Sequence, residues 1–271
     1  MPNALILGAN SATGAYLARL LHARGAAIFA VPDDSGADGL AALGITGDVN
    51  PVPAADAPSL AASLPDATVY AVNSPAQAEL VAETFAAATT ARLCHIVDAA
   101  ALRAHPAMLA QAKAIAALRR DQSRLAVNAV LHAHDSRLGA AYSLPALITT
   151  AAYRAANGTP QSLMLPETGA MDWGWTAEYV DAVARLAAMA RPVDLAIGSG
   201  HHLTTADFVR HAFDYFKTDA ADMVQIAPAQ AAMAADAIDT ERLKAATGWS
   251  ASTWGRDLVR TLCEGAAARA G

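Results

Sequence analysis

Ala4-Leu5-Ile6-Leu7-Gly8-Ala9-Asn10-Ser11-Ala12-Thr13-Gly14 is the stretch on which the fold of this chain turns. Four apolar residues ending on a glycine are too short for a helix. Beyond Gly14, Leu17, Leu20 and Leu21 recur at helical spacing, so the segment reads as strand, tight turn and helix. The alternation then repeats. Strands are expected at Ala27 to Val31, near Ile45, at Thr68 to Val72, at Leu93 to Val97 and at Leu125 to Leu131. Helices are expected at Pro58 to Leu64, Ala76 to Ala88 and Pro106 to Ser123. Strands that are near-continuous apolar runs, each followed by a helix, specify a parallel sheet covered on both faces. The expected class is α/β: a doubly wound, Rossmann-like parallel sheet over residues 1–138, with a smaller C-terminal α/β substrate lobe over 139–271, some of whose segments return to the main sheet. In that second part, helices are expected at Leu144 to Ala156, Thr176 to Met189, Ala206 to Lys217, Asp239 to Ala246 and Thr253 to Ala268, with strands at Leu163 to Leu165 and Leu195 to Ile197.

Composition narrows the function. The chain has 271 residues, 54% of them hydrophobic, enough for a large core. A net charge of -6 and the lack of a Lys/Arg cluster argue against a nucleic-acid partner. No apolar run of about 18 residues marks a membrane span, and the N-terminus lacks the basic and apolar segments of a signal peptide, so a cytoplasmic protein is expected. Cys94 and Cys263 stand far apart with no metal-ligand spacing, and His201-His202 reads as a polar turn, so no metal site is expected.

In a dinucleotide fold the turn after the first strand cradles the pyrophosphate. Gly8 permits the tight turn, and Gly14 lets helix and strand pack closely. The middle glycine of that pattern is Ser11, whose side chain is expected to crowd the phosphates while the helix N-terminus stays open as an anion site. Asn10, Ala12 and Val72 complete the expected cofactor-lining positions around this turn. Asp33, with Asp34, ends the second strand where a carboxylate can accept from the adenosine ribose hydroxyls and repel a 2′-phosphate, which selects NAD over NADP. Asp48 and Val49, placed just past the third strand, are expected to reach the adenine edge. Each of these segments also reads as an ordinary turn.

The chain resembles the GDP-mannose 4,6-dehydratases, extended short-chain dehydrogenase/reductases of the NAD-dependent epimerase/dehydratase superfamily, over nearly its whole length. Ala126-Val127-Asn128-Ala129-Val130-Leu131 followed by His134-Asp135-Ser136-Arg137-Leu138-Gly139 is similar to the family's Ala-Val-Asn-Gly-Ile-Leu strand and the loop after it. Asp172-Trp173-Gly174 with Tyr179-Val180 matches the Arg-Asp-Trp-Gly-His-Ala-x-Asp-Tyr-Val motif. Ile197-Gly198-Ser199-Gly200, Phe208-Val209, Ala212-Phe213 and Thr247-Gly248-Trp249 follow in the family's order.

The resemblance implies hydride chemistry at a hexose, with a Tyr to take the hydroxyl proton, a Lys one helical turn on to lower its pKa, a Ser or Thr, and a Glu. Lys113 remains, able to hydrogen-bond a nicotinamide ribose, and His134 stands where it would line the cofactor. Leu109 occupies the Tyr position, however, and the family's Ser-Thr-Ser-Glu run falls on Asp98-Ala99-Ala100-Ala101. Among the substrate-holding positions, Ala133, Pro145, Ala146, Met171 and the run Ala227-Pro228-Ala229-Gln230 have replaced polar or basic residues, and Arg137 is the basic residue still in register. One reading is therefore a binding, regulatory or scaffolding paralogue in nucleotide-sugar or polysaccharide metabolism. The alternative is an active NAD-dependent oxidoreductase, dehydratase or epimerase with a relocated proton donor. A nucleotide or nucleotide sugar is a candidate partner under either, and a third reading is an interaction module whose vestigial cleft binds nothing. Apolar residues on several faces of the 106–123 helix, Met108, Leu109, Ile115 and Leu118, suggest burial on both sides and a homodimer through that helix.

Overall fold

A computed structural model describes residues 2–34, 36–72, 74–140, 142–228 and 238–270. The chain forms two compact units. The first comprises Met1–His132, Tyr179–Ile197 and Glu241–Ser250, and the second Ala133–Glu178, Gly198–Thr240 and Ala251–Gly271.

The first unit is built on a seven-stranded sheet: β1 Asn3–Leu7, β2 Ala27–Val31, β3 Asn50–Pro51, β4 Ala67–Val72, β5 Arg92–Asp98, β6 Ala126–Leu131 and β7 Leu195–Ile197. Every neighbouring pair is parallel and the spatial order is β7-β6-β5-β4-β1-β2-β3. Leu5 lies opposite Phe29 on one side and Val69 on the other, so β1 is central. This explains why its side chains from Ala4 to Leu7 are all buried and why it reads as an unbroken apolar run. The order reverses between β1 and β4, and at such a switch point the crevice beyond the strand ends is where this architecture binds ligands. One core cluster joins Leu5, Leu7, Val31 and Val69 of the sheet to Val81, Phe85 and Ile115 of the helices.

One sequence expectation needs correction here. The third strand is not at Ile45. That residue is buried, but it sits in a turn before the 3-10 segment Thr46–Asp48, after Gly44 at φ +68°, and the strand begins at Asn50. The helix Pro106–Gln122 packs into this unit by one side. It buries Met108, Gln111 and Ile115, while Leu109 is 42% exposed. Alanines between these positions blur the periodicity, because Ala suits both faces.

In the second unit the helices Leu144–Ala156, Thr205–Phe216 and Gly255–Ala270 pack around Ile148, Phe208, Phe213, Leu258 and Leu262. The helix Thr205–Phe216 starts on a capping box, Thr204 and Asp207 each bonding the other's backbone N–H. Three short strand pairs complete it: Leu163–Pro166 with Val224–Ala227, Met171–Asp172 with His202–Leu203, and Gly174–Trp175 with His134–Asp135. Among the described residues no helix is long and apolar enough to cross a membrane.

Candidate functional site

The turn at the switch point is made by Gly8 and closed by Ser11. Gly8 has φ +75°, and its N–H and that of Ala9 both donate to Val31 O, at 2.9 and 3.0 Å, which ties the turn to the end of β2. A Cβ on Gly8 would meet Val72 O at 2.7 Å, and one on Gly14 would meet Gly8 O at 2.1 Å. Only glycine fits either place. Ser11 is the N-cap of the helix Ala12–Ala23: its hydroxyl accepts from Gly14 N at 3.0 Å and donates its one proton to Gly8 O at 2.7 Å. The expected outcome at Ser11 is thus revised. The side chain folds into the turn, and the helix terminus is not left wholly open, because one N–H of its first turn is already satisfied.

Asn10, itself only 8% exposed, joins this turn to the end of β2. Its amide donates to Asp33 Oδ1 at 2.9 Å and its Oδ1 accepts from Asp33 N at 2.6 Å. Beside them lies a cavity of about 250 Å³ lined in part by Pro32, Asp34, Ala76 and Gln77. Gln77 is buried, and its Oε1 has no hydrogen-bond partner among the described residues. Nothing in the sequence marks Gln77. It is one polar residue in a run of alanines, and only the fold carries it to the end of β4.

Asp48 and Val49 are not brought to this site. They precede β3 rather than follow it, and Asp48 lies 3.9 Å from His22, in the last turn of the helix that Ser11 begins. Ten residues of helix separate His22 from Ala12, about 15 Å at 1.5 Å per residue.

Leu109 and Lys113 stand one turn apart on the exposed side of their helix. Asp98 ends β5 and Ala99, Ala100 and Ala101 open the short helix Ala99–Ala104, so no hydroxyl or Glu is presented there. Below this surface lies a polar network that sequence reasoning missed. His95 Nδ1 meets Asn128 Oδ1 at 2.8 Å, and the Asn128 amide donates to Ala112 O and to Asp194 Oδ2. Arg119 holds Asp194 bidentately at 2.6 and 2.8 Å. Burial pushes the His95 imidazole below its usual range, against the opposing pull of Asn128 and Asp194. The usable signal was a histidine and an asparagine interrupting apolar strands. Asn128 of the resembling strand thus serves to order the interior.

In the second unit the Asp172-Trp173-Gly174 patch is also structural. Asp172 Oδ1 accepts from Ser199 N at 2.8 Å and Ser199 Oγ at 2.9 Å, and Oδ2 accepts from Gly200 N at 2.6 Å. Trp173 packs edge-on against Phe208. His134 pairs through its backbone with Gly174, next to buried Asp135, whose carboxyl is pushed up by burial despite hydrogen bonds from Ser143 and Ser136. Arg137 is ion-paired with Glu264 at 2.5 Å, so the basic residue left in register is already matched by a carboxylate. His201 is not merely polar turn: its ring stacks on Trp254 at 3.7 Å. Ala227 ends the strand Val224–Ala227, while Ala229 and Gln230 lie outside the described residues. No group of three or more His, Cys, Asp or Glu suited to a metal occurs among the described residues.

The doubly wound sheet, with its glycine turn at the switch point and carboxylate at the end of β2, defines the class: a Rossmann-type dinucleotide-binding α/β fold. Within that class the family model described as GDP-mannose 4,6 dehydratase matches residues 107–262, more than half of the chain. The protein belongs to this family.

Solved structures agree on the fold. A UDP-glucose 4-epimerase with UDP-glucose from Thermotoga maritima superposes with a TM-score of 0.84 at 11% identity, over 99% of this chain and 100% of the other. A dTDP-glucose 4,6-dehydratase from Bacillus anthracis in complex with NAD gives 0.81 at 11% identity, over 98% and 96% of the two chains. RMD from Pseudomonas aeruginosa complexed with NADPH gives 0.79 at 13% identity, over 99% and 100%. A comparison with curated protein sequences gave no significant match.

Proposed function

We propose that this chain is an NAD-binding member of its family that has given up the 4,6-dehydratase proton-transfer chemistry, and that it acts as a binding or regulatory protein in nucleotide-sugar or polysaccharide metabolism. The observation that carries the reading is Leu109, 42% exposed and one turn before exposed Lys113, where the family's chemistry needs a phenol. A leucine moves no proton. The hydroxyl and the Glu are missing from Ala99–Ala101 as well, and losing such members singly already costs orders of magnitude in rate.

The residues present fit the adenosine half of NAD. Gly8 makes the tight turn, the N-terminus of the helix Ala12–Ala23 that follows it is an anion site, and Asp33 stands beyond the end of β2, where the ribose would lie. Asp33 and Asp34 together would repel a 2′-phosphate. Bound NAD supplies hydride transfer, and Lys113 is the residue of this chain that would hold its nicotinamide ribose. His134 and Arg137 are proposed at the mouth of the nucleotide-sugar site, Arg137 exchanging its Glu264 partner for a phosphate. A homodimer through the exposed side of the helix Pro106–Gln122 belongs to the same reading.

Calorimetric titration with NAD, and incubation of the protein with GDP-mannose and NAD, test it. Micromolar NAD binding without a 4-keto-6-deoxy product is expected. Catalytic formation of that product overturns the loss of chemistry, and absence of NAD binding overturns the binding role.

A further inference from the structure

The side chain of Asn10 is committed entirely to the end of β2. Its amide nitrogen donates to Asp33 Oδ1 at 2.9 Å, to Ala37 O at 3.0 Å and to Asp33 O at 3.2 Å, so two protons serve three acceptors. Its Oδ1 accepts from Asp33 N at 2.6 Å, and its backbone oxygen accepts from Gly39 N at 2.9 Å. The chain after β2 therefore lies directly on the phosphate turn. A Cβ on Gly39 would sit 2.8 Å from Asn10 O and 2.9 Å from the Ala15 side chain, so no other residue fits there. Both the backbone and the carboxylate of Asp33 are thus set by one neutral residue. Between Pro32 and Asp48 the chain carries Asp33, Asp34 and Asp38 and no Lys or Arg.

We propose that Asn10 is a positioning and specificity-determining residue: without touching the cofactor, it holds Asp33 so that the site takes a nicotinamide dinucleotide with a free 2′-hydroxyl and refuses a 2′-phosphorylated one. The proposal rests on the NAD-binding reading above. A pre-set acceptor binds more tightly than one that must be ordered on binding. A carboxylate held at the ribose keeps its charge where a 2′-phosphate would go.

The test is a double-mutant cycle on the full chain, with NAD and NADP titrated separately by calorimetry into wild type, Asn10→Ala, Asp33→Asn and the double variant. Losing one hydrogen bond to a charged group corresponds to about tenfold in affinity. Asn10→Ala is expected to weaken NAD by about that factor and leave NADP nearly unchanged, so that the preference collapses. The double variant is expected to bind NAD no worse than Asp33→Asn alone, because Asn10 acts through Asp33. Additive losses, or an NAD to NADP ratio unmoved in Asn10→Ala, overturn the proposal while leaving NAD binding intact. A wild type that binds neither dinucleotide overturns the underlying reading as well. If Asn10→Ala does not fold, Asn10→Ser takes its place and the same ratio decides.

Discussion

Replacing Asp172 with Ala separates ancestry from activity in the most recognisable motif of this chain. The residue is 5% exposed, and its carboxylate accepts hydrogen bonds from Ser199 N, Ser199 Oγ and Gly200 N. The Ser199 hydroxyl has a second acceptor in His201 O at 3.1 Å, so its loss is recoverable. The two backbone N–H groups have none among the described residues. Each buried donor left unsatisfied costs about 1–3 kcal/mol, so Asp172→Ala should destabilise by about 4 kcal/mol. At about 2–4 °C per kcal/mol for a protein of this size, the Tm should fall on the order of 10 °C. Asp172→Asn keeps an oxygen for Ser199 but turns an amide toward Gly200 N, so it should lose about 2 kcal/mol, between the two. Thermal and urea unfolding read these differences directly, with the m-value checking that the transition itself is unchanged. A Tm for Asp172→Ala within about 2 °C of wild type would refute the structural account of the motif.

Three further outcomes are expected. Gly14→Ala places a Cβ 2.1 Å from Gly8 O, so the phosphate turn must shift; a loss of about 2 kcal/mol or more is expected, with weakened NAD binding, measurable by thermal unfolding and titration. Leu109→Tyr, at a position 42% exposed, should change stability by less than about 1 kcal/mol and rebuild the Tyr-x-x-x-Lys pair. It should nevertheless yield no turnover of GDP-mannose, since Ala99–Ala101 still lack the other groups; restored turnover would show that the tyrosine alone was missing. Burial pushes the His95 imidazole below its usual range in the fold, while in the unfolded chain it takes a proton near pH 6.5. Stability should therefore fall as pH drops below about 6.5, by up to about 1.4 kcal/mol per unit, and His95→Gln should flatten that slope; parallel pH profiles for the two proteins would count against it.

How much of this was legible in the sequence depends on how local each signal is. The run Ala4 to Leu7, the glycines at 8 and 14 and the leucines after them announce the strand, turn and helix because period and turn chemistry act over a few residues. The third strand was misplaced for the same reason. Ile45 is as apolar as a strand residue, but Gly44 and Gly47 bracket it in turns, and the pairing of Asn50 with Phe29 that defines β3 is a long-range fact. Asp48 fell with it: one shifted strand moved its carboxylate from the expected adenine edge to the far end of the first helix. Met108 and Leu109 are adjacent and both apolar, yet one is buried and the other largely exposed, which an alanine-rich helix does not disclose.

The sequence by itself determined the parallel α/β class, the glycine turn, and the family membership carried by Asp172-Trp173-Gly174. It also gave Leu109 and Ala99–Ala101 their identities, on which the proposed loss of chemistry rests, since these are matters of residue order along the chain. Only the tertiary structure decided what the surviving polar residues do. Asp172 caps the Ser199–Gly200 turn, Asn128 bridges His95 to Asp194, Ser11 seals its own helix, Arg137 pairs with Glu264, and Asn10 clamps Asp33. A hydrogen bond is fixed by distance and direction in space, and the partners of these groups stand between three and 127 residues away in sequence.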